Sequence, residues 1–387
     1  MDGTKQLHIA MFPWLAYGHT MPFLEVSKFL AQKGHRISYI STPKNIGRLP
    51  KLPPHLSSNI SFVQFSLPHV HGLPPEAEST SEVPIDKVPY LKKAYDKLHV
   101  PLTEFVKNSN VNWIIHDFEP YWLPGITTPL GINSVLLCLF NATSMVFMGP
   151  PSALLGDGRK RPEDFTAVPK WIDYPCNVAL KLYEIVNHQQ CMDDVSDFQR
   201  VGLLVQGSLF VTLRACFEFE PDDIKLLIKL YQKPVVPVGC KVNLSEESMH
   251  QLAFGIEKSN LPFIEGQMDD NHQDIIPPGS IIEGLKFGRA LIAFSGASAD
   301  QGMNARLLHG RKVGLEIERN EVDGSFTSDS VAATIRQVMV EPEGEVLRAN
   351  AWAMREIYGN EELSNNYMDG FTRFIQEFAP SANKRRV

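Results

Sequence analysis

Residues 7–41, LHIAMFPWLAYGHTMPFLEVSKFLAQKGHRISYIS, decide the fold. LHIAMF (7–12) is an apolar run of strand length. MPFLEVSKFLAQKG (21–34) carries apolar residues at helical spacing, with Pro22 in its first turn and Gly34 as its stop, and RISYIS (36–41) returns to strand character. A strand, a helix and a strand in so short a stretch read as a βαβ unit, whose two strands run parallel. The alternation continues through ISFVQF (60–65), a helix from about Ile85 to Val106, VNWIIHD (111–117) and INSVLLCLF (132–140). Five such strands predict a doubly wound α/β sheet in the order 3-2-1-4-5. Strands one and four are then neighbours at the switch point, where open sheets bind ligands.

Farther along, 151–206 reads as mostly helical with Pro-rich breaks, SLFVTLRA (208–215) as a strand and DDIKLLIKLY (222–231) as a helix. KPVVPVG (233–239) reads as an extended Pro-rich linker and places the domain boundary. Beyond it come a helix SEESMHQLAFGIEKS (245–259), with Ser245 and Ser248 as caps, and a helix SIIEGLKFG (280–288). The strand ALIAF follows, Asp300-Gln301 opens another helix, and helical segments fill 328–359 and 363–378. Only LPFI, ALIAF and VGLEIE are strand candidates there, few for a nucleotide-binding sheet. The expected domains are 1–238, 239–360 and a terminal helix, 361–387, returning to the first domain.

At 387 residues the chain suggests two domains, and 43% hydrophobic with 21% charged residues is a globular composition. A net charge of -7 argues against nucleic acid or an anionic membrane and for small-molecule partners. The five cysteines are scattered, without CxxC or His-rich spacing, so no metal or disulfide framework is expected; a reducing, cytoplasmic setting fits. The first apolar run contains Pro13 and lacks a small-residue cleavage site, and 135–155 is too broken by polar residues and prolines to span a membrane.

His19 follows strand one and Asp117 ends strand four, so the expected topology brings both to one crevice. A carboxylate that accepts from one imidazole nitrogen fixes the tautomer and leaves the other to act as general base. The nearby helix N-terminus disfavours imidazolium. A His-Gly pair at a strand–helix turn is also a common structural feature, and the residues alone leave both readings open. His116 alternates to the opposite side and reads as structural, while Glu119 competes for the role of Asp117. No GxSxG, Walker loop, GxGxxG or HExxH occurs, which counts against an α/β hydrolase using the same pair.

Taken together, WLAYGHTMPFLEVSKFLAQKGHRISYISTP, VNWIIHDFEPYWLP, FEFEPDDIKLLIKLYQKPVVPVG, IIEGLKFGRALI and ADQGMNARLL resemble, over nearly the whole chain, the plant UDP-sugar-dependent glycosyltransferases. The resemblance is closest to the branch that adds a sugar onto the sugar of a glycoside. It implies a GT-B fold of two facing Rossmann-like lobes, the first holding the acceptor and the second the UDP-sugar. It also implies inverting transfer of a hexose, glucose or rhamnose, to a hydroxyl of a flavonoid or terpenoid glycoside, by a monomer without metal or cofactor. The family's catalytic His matches His19 and its activating Asp matches Asp117. Trp14, Gly18, Phe118 and Phe140 fall on the acceptor side. In the UDP-sugar signature, Ser280 matches the last Ser, Glu283 the ribose-binding Glu, and Asp300 with Gln301 the pair that holds the transferred sugar. By residue type alone Glu283 is a solvated helix residue and Asp300 a helix cap.

Much of that signature has no counterpart. PVGCKVNLSEES joins the boundary almost directly to a helix, EGQMDDNHQDIIPPGS stands where the family has further strand–helix units and the Trp that stacks on uracil, and Ala290 replaces a usual Pro. Stacking on a base is worth about 1–3 kcal/mol and each hydrogen bond to phosphate about 1.5–3 kcal/mol. Losing that Trp and two phosphate contacts weakens donor binding roughly a thousandfold or more. The expectation is an intact first lobe, a second lobe depleted of strands, and impaired transfer; the alternative is a remnant that binds glycosides without catalysis.

Overall fold

The computed structural model describes residues 6–156, 159, 161–188, 195–239, 278–295 and 299–379. They fall into two compact units. The first comprises Met1–Arg159, Gln190–Gly239 and Asn366–Val387, and the second Lys160–Gln189 and Cys240–Asn365.

The first unit is built on a seven-stranded sheet in the order β3-β2-β1-β4-β5-β6-β7, every pairing parallel. Its strands are β1 (His8–Phe12), β2 (Arg36–Ser41), β3 (Ile60–Gln64), β4 (Trp113–His116), β5 (Asn133–Cys138), β6 (Phe210–Leu213) and β7 (Val235–Pro237). The expected 3-2-1-4-5 core is present, extended by two strands. Leu7, Ile9 and Met11 alternate onto one face of the sheet and pack with Phe23, Leu24 and Leu30 of the helix Tyr17–Gln32 and with Trp113, Ile115, Val135 and Leu137. Such doubly covered strands read as continuous apolar runs because neither face meets water.

The stretch 151–206, read as mostly helical, holds the helices Pro151–Leu155, Leu182–His188 and Asp197–Gly207 but is non-helical over 166–181, and two further elements differ from the sequence reading. Within KPVVPVG, Val235–Pro237 is the edge strand β7 and no linker, in register with Val211–Leu213. An edge position suits Pro237, since the missing N–H costs no inner ladder bond. The helix expected over 85–106 is broken into a turn at Ile85–Lys87 and the helices Val88–Asp96 and His99–Asn108. Pro101 accounts for the break, because it has no N–H for the Lys97 carbonyl and its ring crowds that oxygen.

The second unit contains a two-stranded parallel sheet, β8 (Leu291–Ala293) with β9 (Gly314–Glu316). Helices Pro278–Lys286 and Ala299–Gly310 pack on β8, and helices fill 328–358. Gly284 lets Leu291 press against its helix, since a Cβ there would lie 2.5 Å from the leucine side chain. Among the described residues this unit has no other strand; LPFI and the helix expected at 245–259 lie outside them. The helix Leu182–His188 belongs to this unit, tied by two hydrogen bonds from Arg306 Nη2 to the Glu184 carboxylate, each 3.0 Å. Helix Glu361–Glu377 carries its Met368, Phe371 and Ile375 into the core of the first unit. No described helix is long and apolar enough to cross a membrane.

Candidate active site

Phe12 and His116 are register partners at the carboxyl ends of β1 and β4. The chain leaves β1 through Pro13 and Trp14 and turns into helix Tyr17–Gln32, so His19 lies in its first turn, and Asp117 directly follows β4. The two side chains meet: His19 Nδ1 is 2.7 Å from Asp117 Oδ2. A carboxylate only accepts, so Nδ1 carries the hydrogen and Nε2 is the nitrogen that exchanges protons with a substrate. Asp117 is fully buried, whereas a fifth of the His19 side chain is exposed.

Backbone donors lock the carboxylate. Trp14 N–H donates to Oδ2 at 3.0 Å, Phe118 N–H donates to Oδ1 at 2.8 Å, and the Asp117 N–H is held by the Phe12 carbonyl at 3.2 Å. The Tyr39 hydroxyl donates to the Thr20 carbonyl (2.7 Å) and the Tyr95 hydroxyl to the Pro13 carbonyl (3.2 Å), bracing the turn that carries His19. Burial, with the Asp117 charge added, pushes both phenols well above their ordinary range, so they remain donors. None of these supports was singled out from sequence: the Trp14 and Phe118 donors are backbone and leave no trace in residue type, and only the fold brings the two tyrosines to the turn.

The aromatic residues divide. Phe118 sits 5.6 Å from the His19 ring and 5.5 Å from Phe140, ring centre to ring centre, forming an apolar wall beside the imidazole. Trp14 is buried edge-on against Tyr95, itself stacked on Phe12. Gly18 lies beside His19 in the first helical turn, and a Cβ there would meet nothing within 4 Å. His116 is fully buried, with Nδ1 donating to the Asp117 carbonyl (2.8 Å) and Nε2 accepting from Ser208 Oγ (3.1 Å); burial lowers it to about 4. Glu119 points into a separate charged cluster, with Lys92 Nζ at 3.3 Å and Arg200 Nε at 3.4 Å, and burial pushes it up to about 8. It is therefore no rival for the imidazole.

The other sequence-selected residues lie in the second unit. Ser280 and Glu283 belong to helix Pro278–Lys286, and Asp300 and Gln301 to the first turn of helix Ala299–Gly310, just past the carboxyl end of β8. Gly302 follows them, and a Cβ there would lie 2.1 Å from Glu184 Oε1, so the Glu184–Arg306 pair closes directly onto this turn. Among the described residues no group of three or more His, Cys, Asp or Glu side chains is placed to hold a metal ion.

No family model matches the chain. It is similar to UDP-glycosyltransferase 91C1 of Arabidopsis thaliana, 39% identical over 452 aligned positions that cover 97% of this chain and 98% of the relative. UDP-glycosyltransferase 91D1 of Stevia rebaudiana is 33% identical (98% and 94% covered), and soyasaponin III rhamnosyltransferase of Glycine max is 31% identical (98% and 98%). An alignment of 452 positions exceeds a 387-residue chain by 65, so at least that many positions of the Arabidopsis relative have no counterpart here. Among solved structures, Glycyrrhiza uralensis UGT73P12 complexed with glycyrrhetinic acid 3-O-monoglucuronide aligns with TM-score 0.68 at 13% identity, covering 96% of each chain. Arabidopsis thaliana UGT89C1 complexed with UDP-L-rhamnose aligns at 0.65 and 18%, covering 96% of this chain and all of the other. The chain belongs to the plant UDP-glycosyltransferases and has their GT-B fold of two Rossmann-like lobes.

Proposed function

We propose that this chain transfers a hexose, glucose or rhamnose, from a UDP-sugar to a hydroxyl of a plant glycoside such as a flavonoid or terpenoid glycoside, with inversion. The carrying observation is the 2.7 Å contact between His19 Nδ1 and the buried Asp117. His19 Nε2 takes the proton as the acceptor oxygen bonds to the anomeric carbon, and the bond to UDP breaks with its electron pair leaving on the diphosphate. Asp117 holds the tautomer and offsets the charge gained by the imidazole. Residues 1–238, apart from Lys160–Gln189, which group with the second unit, are the acceptor domain in this reading, with Trp14, Gly18, Phe118 and Phe140 on the acceptor side, and 361–387 returns to it. Residues 239–360 are the donor domain, with Ser280, Glu283, Asp300 and Gln301 toward the UDP-sugar. The protein acts as a cytoplasmic monomer without metal or cofactor.

Donor binding is the weak part. At least 65 positions of a relative have no counterpart, and the second unit shows a single strand pair among its described residues. These observations also favour a second reading, a remnant that binds glycosides without transferring sugar. Calorimetry and product analysis on the purified chain separate them. Slow transfer, with UDP-glucose or UDP-rhamnose bound roughly a thousandfold more weakly than by UDP-glycosyltransferase 91C1 of Arabidopsis thaliana, supports the enzyme reading. Saturable glycoside binding with no product at any donor concentration supports the remnant, and micromolar donor affinity would overturn the claim of impairment.

A further inference from the structure

Arg200 sits in the helix Asp197–Gly207 with only 3% of its side chain exposed. Its guanidinium forks onto Asp96 of helix Val88–Asp96, with Nη1 and Nη2 each donating at 2.7 Å. Nη1 also donates to the backbone carbonyl of Glu119 at 3.0 Å, and the guanidinium lies over the Tyr121 ring at 4.8 Å. Asp96 takes a further hydrogen bond from Trp122 Nε1 at 3.2 Å. Lys92 joins the cluster by pairing with Asp197 and Glu119. Residues 119, 121 and 122 all lie on the segment that begins at Asp117.

That segment leaves β4 at His116 and enters a helix at Leu123. On the His19 side it is held by the bonds at Asp117 and Phe118 described above. On its far side it is held by the Arg200–Asp96 fork, which engages it at Glu119, Tyr121 and Trp122. A planar guanidinium with two short bonds to one carboxylate is a fixed joint, because both groups lose orientational freedom together. The guanidinium is shielded from competing water, while about a fifth of the Asp96 side chain stays exposed.

Resting on the reading of His19 and Asp117 as the acid–base pair, we propose that Arg200, with Asp96, is a positioning residue for that pair: it clamps the 117–122 segment from behind and so keeps the Asp117 carboxylate seated on His19 Nδ1. Neither Arg200 nor Asp96 touches the imidazole, and both act through the segment.

The test reads His19 directly, without requiring turnover, by following its ring resonances against pH by NMR in the full chain. A carboxylate within hydrogen-bond reach raises an imidazole pKa, so Asp117→Asn lowers that of His19 by about one pH unit or more. Arg200→Met is expected to give roughly half of that drop, and Asp96→Asn a smaller change in the same direction. Phe371→Leu is the control. It shrinks a fully buried ring that packs on Phe210, loosening the same unit away from the 117–122 segment, and should leave His19 unmoved. Should Arg200→Met fail to fold, Asp96→Asn decides alone. A His19 that stays at its wild-type value in the clamp variants while Asp117→Asn shifts it overturns the clamp. So does an equal response to Phe371→Leu, which would signal general loosening. No response to Asp117→Asn overturns the underlying pair, and the clamp with it.

Discussion

Asp117 and the residues on either side of it show how one short segment divides chemical labour. Asp117 faces His19, His116 turns into the sheet toward Ser208, and Glu119 turns toward Lys92 and Arg200. If the first contact carries catalysis, His19→Ala and Asp117→Asn each lower kcat/KM by roughly two to four orders of magnitude. The double variant then falls no further than the worse single one, since the groups act as a unit; steady-state rates of all three variants check this. The flanking groups are expected to show in stability against pH, with opposite signs. His116 is depressed to about 4 in the fold, so its contribution is present above about 6.5 and lost as pH falls toward 4. The ceiling is on the order of 3 kcal/mol. Glu119 is raised to about 8, so its contribution is present below the ordinary carboxylate range and lost as pH rises through 8. Urea unfolding from pH 4 to 9 should show His116→Gln losing less stability than wild type on the acid side, and Glu119→Gln losing less on the alkaline side. The sequence exposed His19 and Asp117 because strand order alone makes them neighbours. It hid the Trp14 and Phe118 donors, which are backbone, and Arg200, whose partner Asp96 is 104 residues away.

Elements were readable where one period dominated. The βαβ alternation of 7–41 yields β1, helix Tyr17–Gln32 and β2 because apolar spacing, Pro22 and Gly34 agree. VVP in KPVVPVG misled because two prolines in seven residues resemble a linker, and only pairing with β6 turns the segment into a strand. The helix Glu361–Glu377 was visible from its periodicity, but its docking depends on tertiary partners. Phe371 is fully buried, with its ring 6.2 Å from that of Phe210, while Asn133 Nδ2 donates to the Phe378 carbonyl and Lys33 pairs with Asp369 at 2.6 Å. The apolar contact dominates, since the Lys33–Asp369 pair is exposed and such pairs contribute about 0–1 kcal/mol. Phe371→Ala should therefore destabilise the first unit by about 3–5 kcal/mol, and Lys33→Ala by less than about 1 kcal/mol. Denaturant midpoints at constant m-value measure both.

At the scale of the whole molecule, the proposed reaction draws on the two units differently. The first has a seven-stranded parallel sheet with the His19–Asp117 contact at the ends of its neighbouring strands β1 and β4, the switch point of the strand order. The second keeps Asp300 and Gln301 beyond β8, but among its described residues a two-stranded sheet supports them. On the reading that these residues face the UDP-sugar, the 65 or more positions of the Arabidopsis relative without a counterpart here remove contacts to the nucleotide. Transfer should thus be limited by donor capture, with acceptor binding and the acid–base pair intact. Replacing residues 240–277 with the corresponding segment of UDP-glycosyltransferase 91C1 should then raise donor affinity by roughly two to three orders of magnitude, about 3–4 kcal/mol. Acceptor affinity should stay within about twofold, because the replaced segment belongs to the second unit. Donor and acceptor titrations on the parent and the chimera measure both quantities. Unchanged donor affinity in a folded chimera would place the defect elsewhere in the second unit, whereas a joint rise in both affinities would contradict the division of labour between the units.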